Sequence, residues 1–207
     1  RDVDPVHHRP PALARFRPVA GGAPFLAALV HFKSKTGCPE QGDIDRGEGC
    51  WNRLRNAQAD ALTAALRAAG QQHGISDLLV LGDFNSDRHE QPMRRLASAG
   101  FPGAIVMQQP EAPPYSYVYQ GRSTLLDHVL VNAAAAGRVV AAGVWPINAD
   151  EPRLLDYRSP HPAAAANRHG PFRSSDHDPV FVDLAPGRGP GFASGSRPAE
   201  SSAIPED

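Results

Sequence analysis

The sequence predicts a mixed α/β (α+β) domain built in layers. Three observations predict it. Apolar runs of strand length are separated by one long helical repeat in the first half of the chain. Strands dominate the second half. Several strands run straight into polar clusters, the usual place for a site in a sheet protein.

Residues 1–24 are Pro-rich and predict irregular chain. Phe25–Phe32 is continuously apolar and predicts a strand buried on both faces. From Trp51 to Ala69, Leu54, Ala57, Ala61, Leu62, Ala65, Leu66 and Ala69 recur at three- and four-residue spacing, an amphipathic helix that should stop at Gly70. Asp77–Leu81 reads as a second buried strand, stopped at Gly82. A further helix starts near Pro92, a favoured first-turn residue, and ends before Gly100. Tyr115–Tyr119 alternates and predicts a two-faced strand. Strands follow over Leu125–Val131, Val139–Trp145 and Pro179–Leu184. Residues 1–185 form the domain; 186–207, rich in Gly, Pro, Ser and Ala, are expected to be disordered.

Composition narrows the function classes. The 207 residues carry 21 Lys+Arg against 22 Asp+Glu, a net charge of −1. A chain so balanced is no polybasic wrapper, so any polyanion it handles must be met by a local site. No apolar run approaches the roughly 20 residues of a membrane span. The first residue is Arg1, which predicts a processed or truncated product. Cys38 and Cys50 close a polar, Gly-rich loop. The pair suggests a disulfide and an oxidising compartment, the alternative being two free thiols.

Gly82-Asp83-Phe84-Asn85 follows a buried strand. In extended chain, residues two apart share a side, so a carboxylate and a carboxamide are presented together. The carboxylate can take a proton from water or bind a hard cation; the carboxamide can donate to a phosphoryl oxygen. Those four residues alone would equally make an Asx turn. In Ser175-Asp176-His177-Asp178-Pro179, an extended backbone would send Asp176 toward a metal and His177 toward substrate on opposite faces. A catalytic histidine needs an orienting carboxylate. Asp127, which interrupts an apolar strand, is the best candidate, and its neighbour His128 is expected on the other face. His31 ends the first strand and is either a site residue or a satisfied edge histidine. Lys33, Lys35 and Arg55 are candidate phosphate contacts or solvated charges.

The ordered set decides between these readings. His31-Phe32-Lys33-Ser34-Lys35, Trp51-Asn52…Arg55…Gln58-Ala59, Gly82-Asp83-Phe84-Asn85, Tyr115-Ser116-Tyr117…Leu126-Asp127-His128, Ile147-Asn148-Ala149-Asp150-Glu151-Pro152 and Ser175-Asp176-His177-Asp178-Pro179 occur in that order. Together they resemble the endonuclease/exonuclease/phosphatase superfamily with its DNase I-like fold, and within it the bacterial extracellular nucleases. The resemblance runs from about Phe25 to Leu184. It implies the C-terminal part of a four-layer α/β/β/α sandwich and hydrolysis of phosphoesters, with nucleic acid as substrate. It also implies a divalent cation, Mg²⁺ first, with Mn²⁺ or Ca²⁺ as alternatives.

Carried over by motif, Asp83 would orient or deprotonate the attacking water and Asn85 would hold the scissile phosphate. Asp127 would orient His177, and His177 would act as acid/base or charge stabiliser. Asp176, with Asp83, would lie at the metal, and His31 would contact the phosphate or assist the leaving group. Two departures stand out. The family's early Asn and later Glu, both metal ligands, lie upstream of the His31 strand and have no counterpart here. Pro146 stands where the branch has a His. Asp176 and Asp83 alone would make a weak, open metal site. The expected function is therefore a metal-dependent phosphodiester hydrolase, secreted or periplasmic. The alternatives are a phosphomonoesterase or phospholipid phosphodiesterase of the same fold, or a non-catalytic remnant.

Overall fold

Four strands form the main sheet, in the order β1 (Ala12–Phe16), β2 (Phe25–His31), β3 (Leu78–Asp83) and β6 (Asp127–Val131). β1 and β6 run antiparallel to their neighbours, while β2 and β3 are parallel. The other elements are α1 (Asn52–His73), α2 (Gln91–Ser98), α3 (Ala104–Gln108), the hairpin β4 (Tyr117–Tyr119) and β5 (Arg122–Thr124), α4 (Ala133–Ala136), β7 (Val139–Val144), a 3₁₀ turn at Arg153–Leu155, and β8 (Val180–Leu184). The structure is a computed structural model, and it describes residues 9–109, 114–156, 158–162 and 170–187. Positions 188–207 of the expected disordered tail lie outside them.

Two apolar clusters hold the sheet. On one face, Leu62 and Leu66 of α1 and Met93 and Leu96 of α2 pack on Leu26, Ala28, Val30, Leu78 and Val80. On the other, Ala27, Leu79, Val129 and Val131 meet α3, Ala135 of α4 and the β7–β8 pair. The sequence-predicted burial of β2 on both faces forms at Leu26, Ala27, Ala28 and Val30 but fails at one apolar position. Leu29 is 57% exposed. It lies on a groove of Ala14, Phe16, Phe25, Leu79 and Leu81 between the main sheet and β8, which the short β7–β8 layer does not close.

Other boundaries shift for local reasons. The Pro-rich opening contains a strand after all, because Ala12–Phe16 pairs along the edge of β2. α1 runs through Gly70 to His73. Gly70 is buried, and a Cβ there would touch Ile75 O and Leu78 Cδ2 at 3.0 Å, so that glycine serves packing. The helix stops at Gly74, whose φ of 62° is the left-handed ending that glycine adopts without strain. At the other end, Asp43 accepts from the N–H groups of Arg53 and Leu54 at 2.9 Å, so the inter-cysteine loop caps the helix. Cys38 and Cys50 are joined by a disulfide. The predicted strand at 115–119 is shorter, covering Tyr117–Tyr119.

Candidate active site

Sheet register builds the site. β2 and β3 place His31 opposite Asp83, and β3 and β6 place Asp83 opposite Asp127. Side chains directly opposite on adjacent strands share a face, so His31, Asp83 and Asp127 form one row at the end of the sheet. His177 arrives from far along the chain at a β-bridge with Tyr117. These four, with Asn85, Lys35, Asp176, Tyr117 and Tyr119, line one cavity of about 690 Å³.

Backbone geometry makes the row possible. Gly82 has φ +133°, and a Cβ there would collide with Val30 O, so only glycine lets β3 approach β2 just before Asp83. Asn85 has φ 47° and closes a tight turn: its N–H donates to Asp83 Oδ1 at 2.7 Å. Its Nδ2 donates to Asp83 Oδ2 (3.0 Å) and Phe32 O (3.1 Å). Both carboxamide N–H groups are thus committed inside the protein. The sequence expectation that they reach a phosphoryl oxygen requires the side chain to leave one of these acceptors.

His177 Nδ1 lies 2.6 Å from Asp127 Oδ2. The same oxygen accepts from Ser116 Oγ at 2.7 Å, and Ser116 Oγ in turn accepts from the N–H groups of Leu126 and Asp127. Asp127 is thereby locked in place and sets the imidazole tautomer. Tyr117 stacks on the His177 ring with centroids 4.5 Å apart. Asp176 does not point away from His177: the chain bends at residues 174–176, and both side chains line the cavity. Asp178 Oδ1 accepts from the N–H groups of Ile147, Asn148 and Ala149, while Asn148 Nδ2 donates to His177 O. These contacts tie the 147–149 loop to the His177 segment.

The charges are mutually tuned. Burial, then the nearby Asp127 charge, raise the Asp83 carboxyl to about 6. Burial alone would lower the His177 pKa, but the hydrogen bond and charge of Asp127, with Asp83 and Asp176, outweigh it and raise the value. His31 goes the other way, lowered by burial and by the adjacent Arg9 and His177 charges. Its Nε2 is 3.4 Å from Asp83 Oδ2.

Two candidate phosphate contacts are corrected. Arg55 is fully buried beneath the disulfide loop, with its guanidinium donating to the carbonyls of Cys50 (2.7 Å), Glu48 (2.9 Å) and Lys33 (3.3 Å). A charge so enclosed holds the loop and cannot meet substrate. Lys33 turns to a different cavity, donating to Ser34 O and Thr36 O and lying 5.0 Å over the Trp51 ring. Lys35 is the lysine on the site cavity, and it pairs with Glu90. His128 is buried, with Nε2 2.9 Å from Ser86 O. Ser116, Asn148 and Asp178 are the positioning residues that sequence reasoning missed. Their signal was adjacency: each sits inside a motif beside a residue already singled out.

Asp83, Asp127 and His177 each offer a ligand atom within 4.8 Å of the others, a potential acidic metal site. Hard divalent ions prefer oxygen ligands. Asp83 accepts from Asn85 on both oxygens and Asp127 Oδ2 accepts from Ser116 and His177, so either carboxylate would hold an ion beside hydrogen bonds it already makes. Asp176 lies outside the group but on the same cavity wall.

The profile of the Endonuclease/Exonuclease/phosphatase family matches residues 2–177. The chain belongs to this family. No curated protein matches the sequence significantly. Among solved structures, a functionally unknown conserved protein from Enterococcus faecalis matches with 17% identity and a TM-score of 0.51, covering 84% of this chain and 55% of that one. That protein shares the fold of this chain over the matched residues. Also similar are the 3′ phosphatase NExo from Neisseria bound to product DNA hairpin (19% identity, TM-score 0.48, covering 84% of this chain and 64% of that one) and the human Nocturnin catalytic domain (26%, 0.43, covering 63% and 41%). The chain thus spans between 41% and 64% of those three chains. Among the described residues, no helix is long and apolar enough to cross a membrane.

Proposed function

We propose that this chain carries the proton-handling half of a metal-dependent phosphodiester hydrolase acting on nucleic acid. The observation that supports it is the 2.6 Å His177–Asp127 pair facing Asp83 across one cavity. In this reading water attacks phosphorus in line with the leaving oxygen. Asp83, with its carboxyl raised to about 6, is ionised at neutral pH and basic enough to take the water proton. His177, whose imidazolium form Asp127 favours, would donate to the phosphoryl or leaving oxygen when protonated. His31, neutral at the same pH, supplies a further polar contact. A divalent ion held by Asp83 and Asp176 would supply Lewis-acid charge at the phosphate. Location in an oxidising compartment, secreted or periplasmic, is part of the same proposal and is supported by the Cys38–Cys50 bridge.

The test is cleavage of plasmid DNA, RNA and a panel of phosphomonoesters with Mg²⁺, Mn²⁺ or Ca²⁺. The expected outcome is phosphodiester cleavage that falls by about 100-fold or more in His177→Ala, the usual range for a general acid/base. Cleavage confined to monoesters, or wild-type cleavage in His177→Ala and Asp83→Ala alike, refutes the proposal.

A further inference from the structure

Beside the candidate active site lies a second cavity of about 460 Å³, lined by Tyr117, Arg153, Asp156, Arg158, Arg173 and Asp176. Tyr117 and Asp176 belong to both cavities, so the two share a wall. Three guanidinium groups converge there against two carboxylates. Arg173 is the built element. It is 6% exposed, its φ is 55°, and its Nη1 donates to Asn148 O at 2.8 Å. Its Nε has no hydrogen-bond partner; the nearest charge is Asp156 Oδ2 at 3.8 Å. A buried guanidinium N–H without an acceptor is costly, and an anion in the cavity would supply one.

Asp156 does not fill that role. Its Oδ1 accepts from the Arg158 N–H at 2.9 Å and lies 3.5 Å from Arg158 Nε, so it aligns two arginines from one side. Backbone hydrogen bonding keeps it ionised. Among the described residues Arg153 makes no ion pair, and its charge faces Tyr117. Planar forks at three positions suit the tetrahedral oxygens of a phosphate better than a single carboxylate.

We propose that this arginine cavity is a second phosphate subsite, which seats the phosphate one nucleotide away from the scissile one. It rests on the phosphoester reading of the neighbouring cavity. The same oxygens could come from free inorganic phosphate, and the test separates the sources. Seating a neighbouring phosphate would fix the strand's register without reading its sequence.

Binding is measured in EDTA, so hydrolysis plays no part. Arginine Nε–Hε resonances are followed by NMR during titration with inorganic phosphate, the dinucleotide TpT, or pTpT, which carries one more phosphate. The wild type should bind pTpT about tenfold tighter than TpT, the effect of one added charge-assisted contact. Arg153→Ala/Arg158→Ala, both exposed positions, should abolish that preference and leave TpT affinity unchanged; Arg153→Lys/Arg158→Lys should restore part of it. Inorganic phosphate should perturb the Arg173 resonance in Asn85→Ala/His177→Ala as well, where the catalytic cavity is disabled. Equal affinity for the two dinucleotides overturns the proposal even if inorganic phosphate binds, because the source is then free phosphate. A preference that survives Arg153→Ala/Arg158→Ala also overturns it. Because no turnover is read, a chain that fails to hydrolyse any phosphoester leaves these outcomes intact.

Discussion

Asp83→Asn separates what the fold needs from what the chemistry needs. The Asp83 carboxyl moves from 3.8 to about 6 on folding, and its side chain is only 15% exposed. At 1.36 kcal/mol per unit, the folded state bears about 3 kcal/mol for holding this group ionised. The sign follows from the raised value. Below pH 3.8 the group is protonated in both folded and unfolded chains and nothing is lost. As pH rises from 3.8 toward about 6, the unfolded chain ionises before the folded one and stability falls, levelling off above about 6. Asparagine removes that loss. It also turns one of the two oxygens that accept from Asn85 into an NH₂, leaving one Asn85 donor unanswered, which costs about 1–2 kcal/mol at every pH. The variant should therefore be less stable than wild type at pH 4 and more stable by about 1–2 kcal/mol at pH 8. Urea unfolding in EDTA at pH 4, 5, 6, 7 and 8 reads this directly. A stability difference that stays flat across the series refutes the reasoning, because no buried carboxylate would then be titrating at residue 83.

Three more outcomes follow from the same geometry. In Asp127→Asn the His177 pKa should fall below its ordinary value, since burial is then the main remaining influence; an NMR titration showing no drop would remove Asp127 as its partner. Wild-type His177 contributes stability below its unfolded pKa that is lost as pH rises through the higher folded value. Gly82→Ala should lower unfolding free energy by about 3 kcal/mol through strained φ and collision with Val30 O, visible in thermal melts. Arg55→Lys should lose about 2 kcal/mol of stability, because one ammonium cannot serve three carbonyls, with substrate KM unchanged; a raised KM at wild-type stability would return Arg55 to the substrate.

Periodicity and run length made the frame legible. β2, α1, β3, β6, β7 and β8 were all readable from apolar spacing, because each must bury one stripe or one face. The elements that escaped, β1, α3, β5 and α4, lack such a pattern: Ala12–Phe16 is exposed along its length, and Arg122–Thr124 and Ala133–Ala136 are too short to show a period. Gly70 misled for the opposite reason. Its role depends on Ile75 and Leu78, which no local rule sees. Within the site, His31, Asp83, Asn85, Asp127, Asp176 and His177 could be named in advance, whereas Ser116, Asn148, Asp178 and Arg173 could not. Their importance comes from partners 11 to 31 residues away.

The linear order of side chains by itself determined the mixed α/β frame, the central residues of the site and the family resemblance, since motif spacing and apolar rhythm are properties of the chain alone. Only the folded arrangement decided which residue touches which. Strand register put His31, Asp83 and Asp127 in one row. Burial turned Arg55 from a candidate ligand into a loop anchor and left Arg173 with an unanswered N–H. The physical reason is that a charged group's role is set by the water it loses and the partners it gains, and both exist only once distant segments have closed around it.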